Sequence, residues 1–158
     1  MKPDGHGGTH KNPYRRLVLM AVLSFMAMYV LMYAMVDRLA NVYLNWNQFY
    51  MAGLMAAPMV LIELVLMISM YQNKKLNALI GAASLVILGV FWILIRQQTA
   101  ISDRQFLRSM IPHHSSALLM CNQASITDDE IRELCRSIVS SQQSEIDLMK
   151  AKLNQLGR

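Results

Sequence analysis

Charge is scarce in this chain. Only 16% of its 158 residues are charged, against 54% that are hydrophobic. The charges gather in the first sixteen residues, in one short loop and after Arg96, and three apolar runs too long for ordinary core helices lie between them. The chain reads as a small polytopic membrane protein. Its net charge of +5 belongs to topology, because Lys and Arg flank the apolar runs, and it gives no reason to expect nucleic acid as a partner. Cysteine is also scarce. Two residues, Cys121 and Cys135, are too few for a disulfide scaffold; they read as buried thiols, with a disulfide at the limit of reach and thiolate copper ligation as a further option. No histidine lies in an apolar run, which argues against a b-type haem protein needing axial imidazoles at membrane depth. The Glu-x-x-His pairs of di-iron bundles and the His-Glu-x-x-His of zinc proteases are missing as well. Neither a nucleophile–base pair nor a cofactor loop is visible, so an enzyme is not expected.

What is present is methionine, fourteen residues of it, and a clear division of the chain. Residues 1–16 are rich in Gly, Pro and charge and read as a disordered cytoplasmic tail with incidental His6 and His10. Residues 17–95 form a three-span membrane domain, with spans at about Leu17–Val36, Phe49–Tyr71 and Leu76–Ile95. Glu63 is the one acidic residue inside a span; a hydrogen bond to Tyr33 or Ser84 is expected for it. Met51, Met55, Met59 and Met67 form a ladder with Glu63, as do Met28, Met32 and Met35 in the first span. Packing between helices explains them without a copper path. Ala78, Gly81, Ala82 and Gly89 are expected to let a neighbouring helix approach the third span closely. Lys2, Lys11, Arg15, Arg16, Lys74 and Lys75 put the N-terminus and the Lys-Lys loop in the cytoplasm, and three crossings then place residues 96–158 outside.

That outer segment carries two capping boxes, Ser102 with Gln105 and Thr127 with Glu130. They predict helices over about Asp103–Ala124 and Asp128–Leu156, joined as an antiparallel hairpin. Met110, His113, His114, Ala117 and Met120 fall on one side of the first of these helices. Thioether and imidazole together suit copper, Cu(I) especially. The inward side of the second helix is predicted as Ile131, Leu134, Ile138, Gln142, Glu145, Met149 and Leu153. Folding about Ile126 sets the histidines level with Val139 and Ser140, and Gln142 and Glu145 level with Met110 and Ile111. Either polar residue is then placed to orient an imidazole. Pro112 lies inside the first helix and is expected to bend it.

These residues resemble a known family. Phe106-Leu107, Met110-Ile111-Pro112-His113-His114, Ala117, Ile131-Arg132, Leu134, Ile138, Glu145-Ile146 and Met149 look like the family catalogued as domain of unknown function 305. The three spans, with Tyr50-Met51, Met70-Tyr71 and Asn73 to Asn77, resemble its membrane-anchored branch. The resemblance implies a ferritin-like helical fold and, for some members, periplasmic copper binding linked to copper tolerance. It carries over Met110, His113, His114 and Met149 as candidate ligands; Cys121 and Cys135 depart from it.

The expected protein is all-α: three transmembrane helices followed by an extramembrane antiparallel hairpin, half of a ferritin-like four-helix bundle. Two helices bury little surface alone, so a second hairpin is expected to complete the bundle as a homo-oligomer. The expected function is copper binding for sequestration, tolerance or hand-on at the outer face of the inner (plasma) membrane, in the periplasm or an equivalent outer space. Met110, His113, His114, Met120, Glu145 and Met149 are the candidate ligands. The alternative is a non-metal structural or partner-binding membrane module.

Overall fold

The computed structural model describes residues 12–157, and the described residues form five α-helices. The expected tail at 1–16 lies mostly outside them. Its last residues are helical, because α1 (Pro13–Leu31) begins at Pro13 with the Asn12 side chain accepting from the Tyr14 N–H. A short 3-10 turn extends α1 to Met35. α2 is Trp46–Leu66 and α3 is Lys74–Arg96. Asn45 and Asn73 cap them, accepting from Gln48 and Leu76. Pro13–Met35, Trp46–Leu66 and Lys74–Arg96 are each long and apolar enough to span a membrane.

α2 is the central helix of the three. It buries Tyr50, Ala52, Gly53, Ala56, Ala57 and Leu64, whereas α1 buries only Leu17 and α3 only Ser84. Small residues on α2 thus make the close approach expected of α3. A Cβ at Gly53 would overlap the Phe91 ring, while Gly81 and Gly89 face open space. Most of the methionine ladder points the other way: Met51, Met55 and Met67 are exposed at the outer surface of the three-helix unit, and Met59 is partly buried. Glu63 accepts a hydrogen bond from Tyr71 at 3.3 Å, not from Tyr33 or Ser84.

α4 (Asp103–Gln123) and α5 (Asp129–Leu156) pack as an antiparallel pair. Ser102 caps α4 through its backbone alone. Gln105, expected to complete the box, instead accepts from the Trp46 N–H at 3.2 Å. At α5 the capping side chain is Asp128, one residue later than expected, accepting from the Ile131 N–H. Ala124 and Asp128 are both extended, so the connection carries α5 about one turn past the tip of α4 before the helices run side by side. The register consequently differs from a fold about Ile126. Cys121 and Cys135 come level, 5.3 Å apart at Cα, and form a disulfide, which corrects the reading of them as buried thiols. Glu145 comes level with His114.

The connection between α1 and α2 is a docking element for this hairpin. Asp37 donates its backbone N–H to Ser115 Oγ at 2.9 Å, and the Ser115 hydroxyl donates back to the Asp37 carboxylate. Asn41 donates to that carboxylate at 2.6 Å. Pro112 leaves the carbonyl of Arg108 without its helical donor, and Asn45 Nδ2 approaches that oxygen at 3.5 Å. At the other end of the unit, Tyr14 OH donates to Asn77 Oδ1 at 2.8 Å and accepts from the Asn73 N–H. The first loop and the hairpin therefore share one end of the helices, and the start of α1 and the Lys-Lys loop share the other.

Candidate metal centre

α4 and α5 each carry two stripes with heptad spacing, offset by one residue. The inner seam closes the hairpin. It runs Leu107, Ile111, His114, Leu118 and Cys121 on α4, against Cys135, Val139, Gln142, Ile146, Met149 and Leu153 on α5. Ile111, Leu118, Ile146, Met149 and Leu153 form its buried cluster, with Leu107, Met110 and Val139 packed on it. The inward side of α5 is thus turned by one residue from the expected one: Ile131 and Leu134 are 50% and 58% exposed, whereas Ile146 is fully buried. The outer seam faces away from the first loop. It runs Phe106, Met110, His113, Ala117 and Met120 on α4, beside Leu134, Ile138, Ser141, Glu145 and Leu148 on α5.

The candidate ligands divide between the two seams. His114 lies where the seams meet. Its side chain is 13% exposed, and its Nδ1 stands 3.4 Å from Glu145 Oε2 without a hydrogen bond to any group. Burial lowers the imidazole's pKa below its ordinary value, the Glu145 carboxylate opposes that shift, and His113 adds to it. The ring is therefore neutral near pH 7. A neutral imidazole with an unsatisfied buried nitrogen is a fitting donor for a soft or borderline ion. His113 is exposed, its ring centroid 6.0 Å from that of His114. Glu145 is half exposed at the side chain. Met110 is partly buried on the edge of the hairpin core, and Met120 is 51% exposed two turns above His113. Met149 is 8% exposed inside the buried cluster; it serves the hairpin core and does not share the outer seam with the imidazoles. Among the described residues, no three of His, Cys, Asp and Glu converge on one point.

Three polar residues that matter here escaped the sequence reading. Asp37, Asn41 and Ser115 belong to no sequence motif. The clue was positional: Ser115 stands directly after the two histidines, on the side of α4 opposite Met110 and Met120. Ser115 is fully buried and Asn41 is 2% exposed, so this joint holds α4 with its outer seam turned away from the membrane unit. Burial opposes ionisation of Asp37. The bonds from Ser115 and Asn41 and the Arg38 guanidinium outweigh it and keep the carboxyl below its ordinary value.

Among curated proteins, the chain is 34% identical over 142 residues to "Uncharacterized protein L153" of Acanthamoeba polyphaga mimivirus, covering 88% of this chain and 91% of the relative. No solved structure matches it. A family model matches residues 36–153, which begins at the loop carrying Asp37 and ends at Leu153 of the inner seam. With the hairpin, its docking loop and two of the three spans inside that match, the chain belongs to the family described as Domain of unknown function (DUF305).

Proposed function

We propose that the protein is a membrane-anchored copper-binding protein that sequesters copper or hands it on outside the membrane, without catalytic turnover. Copper is its cargo. The observation that carries this reading is the unsatisfied Nδ1 of His114 facing Glu145, with His113, Met110 and Met120 on the same seam. The donor set is Met110, His113, His114, Met120 and Glu145. Thioether and imidazole select Cu(I) over hard cations, and the Glu145 carboxylate stands 3.4 Å from His114 Nδ1, placed to add an oxygen donor beside that nitrogen. The disulfide supports the topology given by the basic residues, since such bonds persist in oxidising compartments outside the cytosol. The Lys-Lys loop then lies in the cytoplasm, and the first loop and hairpin lie outside.

Titrating the detergent-solubilised full-length protein with Cu(I) under ascorbate tests this. Saturable binding is expected, with loss of at least tenfold in affinity in the His113→Ala/His114→Ala double variant. Absence of binding, or binding indifferent to that change, would refute it. A protein partner that is captured equally by both forms, with copper having no effect, would establish the competing reading of a partner-binding module.

A further inference from the structure

The outer seam has the pattern of a helix–helix interface but no helix against it. Phe106, Met120, Leu134 and Leu148 on it are 50–61% exposed. Over Asp129–Glu145, the outer half of α5, no residue is buried. The donor set is incomplete on the same side, because among the described residues no three of His, Cys, Asp and Glu converge within one chain and His113 is exposed. We infer that the occupant is a second copy of this chain, packed seam to seam, and that the copper site is shared between the two copies. This rests on the copper reading above for its ligand but not for its interface.

Membrane anchoring fixes the symmetry. Two copies inserted the same way in one bilayer are related by a twofold axis along the membrane normal, so equal residues stand at equal heights. Placed face to face about such an axis, α4 of one copy lies against α5 of the other, antiparallel. Heights along the hairpin are set by the Cys121–Cys135 bond and the His114–Glu145 contact. In that register Met110 meets Leu148 of the partner subunit, His113 meets Glu145 of the partner subunit, Ala117 meets Ser141 of the partner subunit, and Met120 meets Ile138 of the partner subunit. Apolar faces apolar, small faces small, and imidazole faces carboxylate, all at spacings of three and four residues. Both copies' His113, His114 and Glu145 gather at one level, with the small pair directly beyond leaving room for an ion.

The size fits as well. A face about 30 Å long and two helices wide covers about 600 Å² per copy. The total of about 1,200 Å² is at the lower end for a specific interface, and confinement to one membrane raises the effective concentration.

Subunit complementation tests the shared site. Differently tagged His113→Ala and Glu145→Ala chains are co-expressed, the mixed complex is purified through both tags, and its Cu(I) content is compared with each variant alone. Each variant alone is expected to lose copper. The mixed pair keeps one intact His113–Glu145 pairing and is expected to recover about half of the wild-type content. A site contained within one chain recovers none, and that result would overturn the proposal. Interface and ligand are separated by a second measurement on copper-free protein. Light scattering in mild detergent is expected to give twice the chain mass. A single Ala117→Cys thiol is expected to cross-link to itself through a short bis-maleimide, and Asn122→Cys, two turns from Ser115 on the opposite side of α4, is not. A monomeric mass without Ala117→Cys cross-linking overturns the dimer; a cross-linked dimer that binds no copper leaves the interface standing and removes the copper reading.

Discussion

Asp37 and Ser115, 78 residues apart, hold each other by two hydrogen bonds, one through the backbone N–H of Asp37 and one through its carboxylate. Through this pair the loop after the first span grips the helix that carries the histidines. Ser115→Ala leaves the buried end of the carboxylate short of a donor and is expected to cost about 1–3 kcal/mol, read as a lower thermal midpoint of the solubilised protein. The acid dependence follows from the lowered pKa of Asp37. A carboxyl more acidic in the folded than in the unfolded chain contributes fully above its unfolded value of about 4. That contribution is lost as pH falls through the folded value. Asp37→Asn is expected to lower stability at neutral pH and to flatten its fall on acidification below pH 4, checked by thermal melts across that range.

Gly53 packs directly against the ring of Phe91 and leaves no room for a side chain. Gly53→Val is expected to destabilise the three-helix unit by about 1–3 kcal/mol, as overpacking does. Phe91→Ala in the same chain is expected to restore part of that loss. Monitoring the thermal midpoint of the two single variants and the pair gives the coupling between the residues directly.

Removing the Cys121–Cys135 bond releases a hairpin tip closed across 14 positions of sequence. For a loop of this length the expected loss is about 3 kcal/mol. The serine double variant is also expected to bind copper more weakly, because the register that sets Glu145 against His114 is no longer pinned. Comparing denaturation midpoints and copper affinities of the oxidised protein and the double variant checks both effects.

Met149 separates core from site. Met149→Leu conserves volume and is expected to cost under about 1.5 kcal/mol while copper binding stays at the wild-type level. Met149→Ala opens a cavity worth about 2–5 kcal/mol. A tenfold loss of copper affinity in the stable leucine variant would show that the thioether is a ligand after all.

The spans, the hairpin and the Met/His side of α4 were legible because each rests on a local signal: uninterrupted apolar length, caps, and spacings of three and four. The facing residues were not. α5 has apolar residues on two adjacent stripes, and periodicity alone cannot say which one meets α4. Ile131, Leu134 and Ile138 make one stripe and Cys135, Val139 and Ile146 the next, while Gln142, Met149 and Leu153 fit either. The register was off because the extended residues Ala124 and Asp128 displace α5 by a turn, and a fold about the loop's midpoint does not contain that displacement. Gln105 was recognised as a capping residue, but its partner, Trp46, is 59 positions away and invisible to any local rule.

The sulfur bridge at the hairpin tip also sets an order on maturation. Its two thiols join only where an oxidant is available, so newly made protein has no closed tip until that oxidation has taken place. The imidazole of His114 and the carboxylate of Glu145 reach their final spacing only after this step.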